Sequence, residues 1–600
     1  MMLNLIDRLS EWNPQLLREL KGRLKLFNVA IAVITSLLLQ LVIFLYQLRD
    51  FPGEKYSLKG SYCHLHEFYD RKESLLYTQQ STLSNQLSDF QQIKPPDLTK
   101  IANIKVKIAQ VNTEISNLQS YLQNNFCPEN EIGWQSWWRD HWEYFFLTFS
   151  VLFIFTLLVA GTYLLISDLA KEENRGTLNF IRLSPQSEAS ILTGKLLGVP
   201  SLIYLFIIVA IPLHIWAGYS AKIALSYIFS YYAVLFASCL LFFNSALLFS
   251  LVSRWFSSFQ PWLGSGAVLF LLIITMMMAS SSHNIKDSSS SFRLFSPWDI
   301  TNYLFPNLFN VYQGSPIENL QFFYLPLGKN VVSIVGFYLL NYGMWSYGIW
   351  QVTKRCFRNP NTTVLTKGQS YVFIACSQVI VWGLNIEYIH KIRDYITFFN
   401  CLLVIGLIAC LSPHRQTIQD WARYRHQSKQ NKSLLSDLIW GGKSPALLAI
   451  AINLVIISTP SIFWTFLSPN SNSLDKFKLV LAEVLFISFM MICATIAQFI
   501  LLTKTRKRAF WGTGIVAAVM FLPPMILAIF GIAPAKTPSS WISLWVFSSF
   551  PWVGIQETGI ITIFMGLLAE LSILTLLNFQ LTRRVKLAGE SATKALLAGR

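Results

Sequence analysis

The feature that most constrains this chain is a recurrence of apolar runs about as long as a bilayer is thick. The first, residues 27–46, carries no charged side chain, and roughly 20 apolar residues are what a helix needs to cross the hydrocarbon core. Comparable runs fall at 144–166, 196–217, 224–252, 262–280 and 331–352. After Gly368 the pattern starts again, at 371–384, 396–411, 447–467, 479–502, 510–532 and 560–579. Lipid offers the backbone no hydrogen-bond partner, so each run must satisfy itself as a helix. With 53% hydrophobic and only 13% charged residues, a soluble globular protein is excluded. The expectation is an all-α, polytopic integral membrane protein of about twelve transmembrane helices in two six-span halves, 26–355 and 371–580, joined by a cytoplasmic linker, 356–370.

The formal charge of +17 is dispersed among short loops, as cytoplasmic loops of membrane proteins are charged, and does not point to nucleic acid. Arg18, Lys21, Arg23 and Lys25 place the N-terminus in the cytoplasm. Arg254, then Lys354, Arg355, Arg358 and Lys367, and the basic tail 581–600 fit the same orientation, with both termini inside a plasma (bacterial inner) membrane. The first apolar run is followed by no small-residue cleavage site and is expected to stay as a span. Before it, residues 1–25 space Leu5, Leu9, Leu16, Leu17, Leu20 and Leu24 along one helical face, which suits a helix lying on the cytoplasmic leaflet, with Asn13 as cap and Pro14 in its first turn.

Residues 50–143 are too long and polar for a simple connection and are expected to form an extracytoplasmic domain. Leu98, Ile101, Ile104, Ile108, Val111, Ile115, Leu118 and Leu122 recur at steps of three and four, a coiled-coil seam. Leu76, Leu83, Leu87 and Phe90 supply a shorter partner. Lys94, Pro95, Pro96 and Asp97 separate the two, so an antiparallel helical hairpin is predicted. Of eight cysteines, Cys63 and Cys127 flank this hairpin, and they can pair if it faces an oxidising compartment. Closing that loop would stabilise the domain by about 4 kcal/mol on a chain-entropy argument. His64 and His66 read as surface histidines, and no metal-ligand spacing is present.

Between the second and third runs lies a polar island, 167–198, reading SDLAKEENRGTLNFIRLSPQSEASILTGKLLG. Glu172, Glu173 and Arg175 lead into Gly176, which suits a bend. Thr177, Leu178, Phe180, Ile181 and Leu183 then supply an amphipathic turn or two that Pro185 stops. EENRGTL, then LSP, then GKLLG with Lys195, resembles the cytoplasmic loop of the ABC type-2 exporter permeases, and NPQLLRELKGR resembles their opening helix. In that family the loop docks into a cleft of an ATP-binding subunit and carries its motion to the membrane. The resemblance implies an ATP-driven exporter whose separate ATPase dimer grips Glu172, Glu173, Arg175, Gly176, Thr177, Leu178, Pro185 and Lys195. It covers motifs in the first half only, since the connection between the eighth and ninth runs has neither GTL nor GKLLG. Ser296, Pro297 and Trp298, echoed by Phe550, Pro551 and Trp552, hint at a repeat.

ATP hydrolysis belongs to the partner, because Gly442, Lys443 and Ser444 lack the first glycine of a phosphate-binding loop and its strand-to-helix setting. No catalytic motif, cofactor or metal site is read, so the chain is expected not to be an enzyme. Glu570, near the middle of the last run, is the candidate for a substrate-path contact, and membrane lipids or an apolar cargo suit so aromatic a membrane region. Two other readings remain: a membrane scaffold whose hairpin binds an envelope partner, and an ion-coupled secondary transporter centred on Glu570.

Overall fold

The computed structural model describes residues 11–589 except 50, 54, 93–97, 282–289, 310–315, 386–388, 428–432, 468–472, 504, 506–507 and 533–538. The leucines at 5 and 9, the residues 94–97 expected to separate the hairpin helices, and most of the basic tail lie outside the described residues. The chain divides into two compact units, residues 23–154 with 201–230, and residues 1–22, 155–200 and 231–600.

In the first of these, α2 (Leu26–Leu48) packs along α8 (Ser201–Ser220). Its buried residues are Ser36 and Gln40, whereas Leu37, Leu38, Leu41 and Leu45 are exposed. This inversion of the usual soluble pattern is what a lipid solvent selects, because packed spans hold each other through small and polar groups while leucine is at home in hydrocarbon. Ser36 Oγ donates to the Phe206 carbonyl at 2.8 Å. Across the same unit the ring of His214, fully buried, stacks on Phe146 and meets Ser150 Oγ at 3.0 Å.

The same unit holds α3 (His66–Gln92) and α4 (Leu98–Asn124). They run antiparallel, since Gln80 reaches Asn112 at 2.6 Å, Tyr77 accepts from Gln119 at 3.0 Å, and Tyr69 faces Tyr121. Burial deepens toward their base, where Leu76, Ile115, Leu118 and Leu122 pack with Leu58 and Ile132 around a disulfide joining Cys63 to Cys127. Leu98, at the far end of the seam, is exposed. His66 sits 3.2 Å from Asp70, one turn along its own helix, an ordinary surface pair.

The second unit contains the rest. Helix α5 (Trp134–Asn174) runs for 41 residues, with a π-helical segment at Thr156–Ala160; its start belongs to the first unit. It is followed by α6 (Thr177–Arg182), α7 (Glu188–Gly198), α9 (Leu225–Val252), which begins in the first unit, and α10 (Gln260–Ser280). Short elements occupy the described residues of 290–309 and 316–330, including α11 (Trp298–Leu304) and a two-residue antiparallel strand pair, Gln321–Phe322 with Leu325–Pro326. Here Arg293 and Asp299, both buried, form an ion pair, which lets a charged pair sit among the apolar side chains around it. Then come α12 (Val331–Arg358), α13 (Lys367–Asn385), α14 (Ile389–Leu411), α15 (Arg415–Gln427), α16 (Leu434–Trp440), α17 (Leu447–Leu467), α18 (Ser473–Leu501), α19 (Arg508–Ile529) and α20 (Ile560–Gly589).

Among the described residues, nine helices have the length and apolarity to cross a membrane: α2, α5, α8, α9, α10, α17, α18, α19 and α20. A tenth is reached if Tyr395–Leu411 and Arg415–Arg425, bent by 63°, count as one broken span. Expected spans in α12 and α13 are helical but interrupted by asparagine, serine, tyrosine and glutamine, which lowers their apolarity. The protein is thus a helical, polytopic integral membrane protein.

Candidate functional site

The polar island between α5 and α8 folds as three pieces, and the sequence explains each break. Gly176 takes φ +74°, ψ 0°, a left-handed conformation that costs any residue with a Cβ about 1–2 kcal/mol. Here it ends α5 and lets the chain re-enter helix at α6. The Thr177 hydroxyl donates to the Glu172 carbonyl at 3.2 Å, satisfying one of the carbonyls that a helix C-terminus leaves without an intrahelical partner. Pro185 follows α6, and Ser187 caps α7 by accepting from the Ser190 amide.

The apolar residues of α6 split between two directions. Leu178 and Ile181 are buried, while Phe180 and Leu183 stand 79% and 85% exposed. Arg175, Gly176, Thr177 and Pro185 are exposed beside them, and Glu173 is half-buried. Arg182 lies 3.9 Å from Glu173, which also meets Arg254 at 3.4 Å. The guanidinium of Arg182 covers the Phe357 ring at the end of α12.

Glu172 and Lys195 point inward, into a cluster that ties three stretches of chain together. Lys195 is fully buried, and its Nζ lies 2.7 Å from Asp168, 2.7 Å from Glu172 and 3.4 Å from Glu19. Asp168 and Glu172 share a face of α5 because they are four residues apart. Glu19 comes from α1 (Pro14–Arg23), 176 residues from Lys195 in sequence. Burial works against the lysine's charge, but Asp168, Glu172 and Glu19 together outweigh it and raise its pKa. Burial raises the Glu172 pKa as well, against the pull of Lys195 and with help from its two acidic neighbours. Both directions follow from the count: three carboxylates face one ammonium, with Arg18 adding a more distant contact to Glu172 at 3.7 Å. The carboxylate oxygens lie within 4.8 Å of one another, close enough to hold a metal ion, yet the ammonium already stands among them.

The GKLLG signature acquires a physical meaning here. A Cβ on Gly194 would fall 2.8 Å from the Leu16 amide nitrogen, and one on Gly198 would fall 2.5 Å from the Glu19 Cβ. Small residues four apart let α1 lie directly on α7, and Lys195 between them meets Glu19 across the contact. Asn13 caps α1 by accepting from the Leu16 amide at 3.0 Å and donates across to the Ser190 carbonyl at 2.8 Å. The buried residues here are Asn13, Gln15, Leu16 and Glu19; Leu16 belongs to the leucine stripe, Leu17 and Leu20 are half-buried, and Leu24 is exposed. Of the residues expected to touch a partner, Glu172, Leu178 and Lys195 are buried, the first and last of them in this ion cluster.

In the second half, the connection between α14 and α17 carries α15 and α16, tied by an Arg425–Asp437 ion pair. Lys367, at the start of α13, donates to the Leu438 carbonyl, Ser444 Oγ and the Pro445 carbonyl at 2.7, 2.6 and 3.0 Å. Ser444 also donates to the Asp437 and Gly441 carbonyls, so the Gly-Lys-Ser stretch is a tied turn. Glu570 is buried on α20 and accepts from Ser488 Oγ of α18, a contact between neighbouring helices. No family model, curated protein sequence or solved structure matches the chain.

Proposed function

We propose that this chain is the membrane-spanning permease of an ATP-driven exporter of the ABC type-2 kind, worked by a separate ATP-binding dimer at its cytoplasmic face. The observation that carries this reading is the pair Phe180 and Leu183, large apolar side chains presented to the outside by a short helix whose other face is firmly seated. Exposed aromatic and aliphatic anchors of this kind, rimmed by charges, mark protein contact sites. The island sits at the end of the 41-residue α5 and is braced by the Lys195 cluster, so a push on α6 would be passed to the span as a rigid displacement. In this reading α12, α13 and α14 add three spans to the nine apolar helices, giving twelve in two halves of six.

A resemblance between the halves supports that count. Thr275 of α10 donates to Ser296 just before Pro297 and Trp298, and Ser549, just before Pro551 and Trp552, donates to the Met520 carbonyl of α19. Each tie joins the fifth helix of a half to a short helix that opens on Trp298 or Trp552. Lys367 gripping the turn before α17 then parallels α1 gripping α7, and α15 with α16 becomes the second coupling element.

The test is whether the full chain copurifies with an ATP-binding-cassette protein from its own cells, followed by vanadate-sensitive ATP hydrolysis. Replacing Phe180 and Leu183 by Asp is expected to abolish both, with the chain still monodisperse. Unchanged copurification and hydrolysis in that double variant would overturn the docking role.

A further inference from the structure

Two adjoining cavities lie in the second half, among the ends of α13, α17 and α18 remote from α15. The smaller, about 20 Å³, has room for one water-sized group. Its wall carries the carboxylate of Glu483, the hydroxyls of Ser461 and Thr397, the amide of Asn400, and the indoles of Trp382 and Trp464. Ser461 Oγ donates to Glu483, and Asn400 Oδ1 accepts from Gln378 at 2.9 Å. The larger cavity, about 470 Å³, opens on one side and shares both indoles as walls; the rest of its lining is mostly carbon, from Phe323 to Phe463 and Leu467. Gln378, whose side chain is 3% exposed, lines the larger cavity, and its Oε1 has no hydrogen-bond partner.

The combination has a definite chemistry. A buried carboxylate beside indole faces attracts a cation, through direct charge and through the ring quadrupole. An unpartnered amide oxygen, costly to leave unmet inside a protein, calls for a further N–H donor. The small volume admits an ammonium and not a trimethylammonium, and an apolar trough leads straight out of it. The Trp382 N–H is also without a partner.

We propose that these two spaces form a binding site for a single-chain amphiphile with a primary ammonium head. The head lies against Glu483 between Trp382 and Trp464, and the hydrocarbon chain occupies the trough. As a statement of exported cargo this rests on the exporter reading; as a statement of binding it does not. A phospholipid would bring its phosphate toward the Glu483 carboxylate, so the ordinary lipids of the bilayer are the poorer occupants.

The experiment uses the full-length chain in phosphatidylcholine nanodiscs with tritiated dodecylamine, competed by unlabelled dodecylamine, dodecanol or dodecyltrimethylammonium. Dodecylamine is expected to compete best. Losing a charge-assisted hydrogen bond, Glu483→Gln should weaken binding roughly tenfold or more. Glu557→Gln, a control at an exposed carboxylate, should leave binding unchanged. Equal competition by dodecanol, or unaltered affinity in Glu483→Gln, would overturn the assignment and mark the trough as a seat for any lipid chain. If Glu483→Gln fails to fold, the amine-against-alcohol comparison in the unaltered chain decides alone. Selective amine binding without an ATPase partner would sink only the exporter reading, and intact ATPase coupling without amine selectivity would sink only the cargo.

Discussion

At the residue scale, Lys195 shows how a motif can be visible while the contacts of its central side chain are not. GKLLG stands out in the sequence, but nothing in its own helix indicates that the lysine turns inward, because Asp168 lies 27 residues away and Glu19 176 residues away. Burying one ammonium among three carboxylates makes each partner depend on it. Lys195→Met should destabilise the folded chain by roughly 3–5 kcal/mol, the usual cost of leaving buried charge unpaired, read as a lowered unfolding midpoint in detergent. Glu172→Gln should be far milder, since it removes one of the excess negative charges. The pH signs follow from linkage. A raised Glu172 pKa means that its contribution is fully present below the ordinary carboxylate range and is lost as pH rises through its folded value. Glu172→Gln should therefore flatten the stability profile in that window. The Lys195 contribution, also from a raised pKa, persists through neutral pH and disappears only above the ordinary lysine range. A Glu172→Gln profile identical to that of the unaltered chain would refute this account.

At the scale of elements, the apolar runs and the hairpin seam were legible because period and length are local properties. Antiparallel α3 and α4 and the long apolar helices follow directly from spacing. The three-piece fold of the island was half legible: Gly176 and Pro185 announce the breaks, but which side of α6 faces outward depends on α5 and α12, whose positions no local pattern encodes. Gly198 offers the sharpest test of the helix contact. Gly198→Val would drive a side chain into the Glu19 Cβ, already 2.5 Å from the modest Cβ position, and overpacking of this kind costs about 1–3 kcal/mol. The expected readout is faster proteolysis at 11–25 and a lowered midpoint. Gly266, around which a Cβ meets open space, should accept alanine without either change.

At the scale of the whole molecule, helices such as α2 invert the habits of water-soluble proteins, with Ser36 and Gln40 inside and Leu37, Leu38, Leu41 and Leu45 outside. That inversion was readable only as composition; the specific pairs, Ser36 with Phe206 and Glu570 with Ser488, needed the packed helices. The sequence does not single out Glu483, because position along a run says how deep a carboxylate sits and not what surrounds it. Sidedness gives the decisive prediction at this scale. A cysteine placed at Asn85 should react with a membrane-impermeant maleimide in intact cells, and one at Leu183 only after permeabilisation. Both reacting from the same side would undo the topology and the exporter reading with it.

The contact between α1 and α7 also has a consequence in time. Glu19 leaves the ribosome 176 residues before Lys195, an interval of roughly 10–35 s at ~5–20 residues per second. Throughout it the N-terminal helix has been synthesised and its glycine-faced seat has not. The newborn chain must keep that basic segment parked elsewhere, on the bilayer surface or on a chaperone, until two spans and the domain between them have been threaded into place.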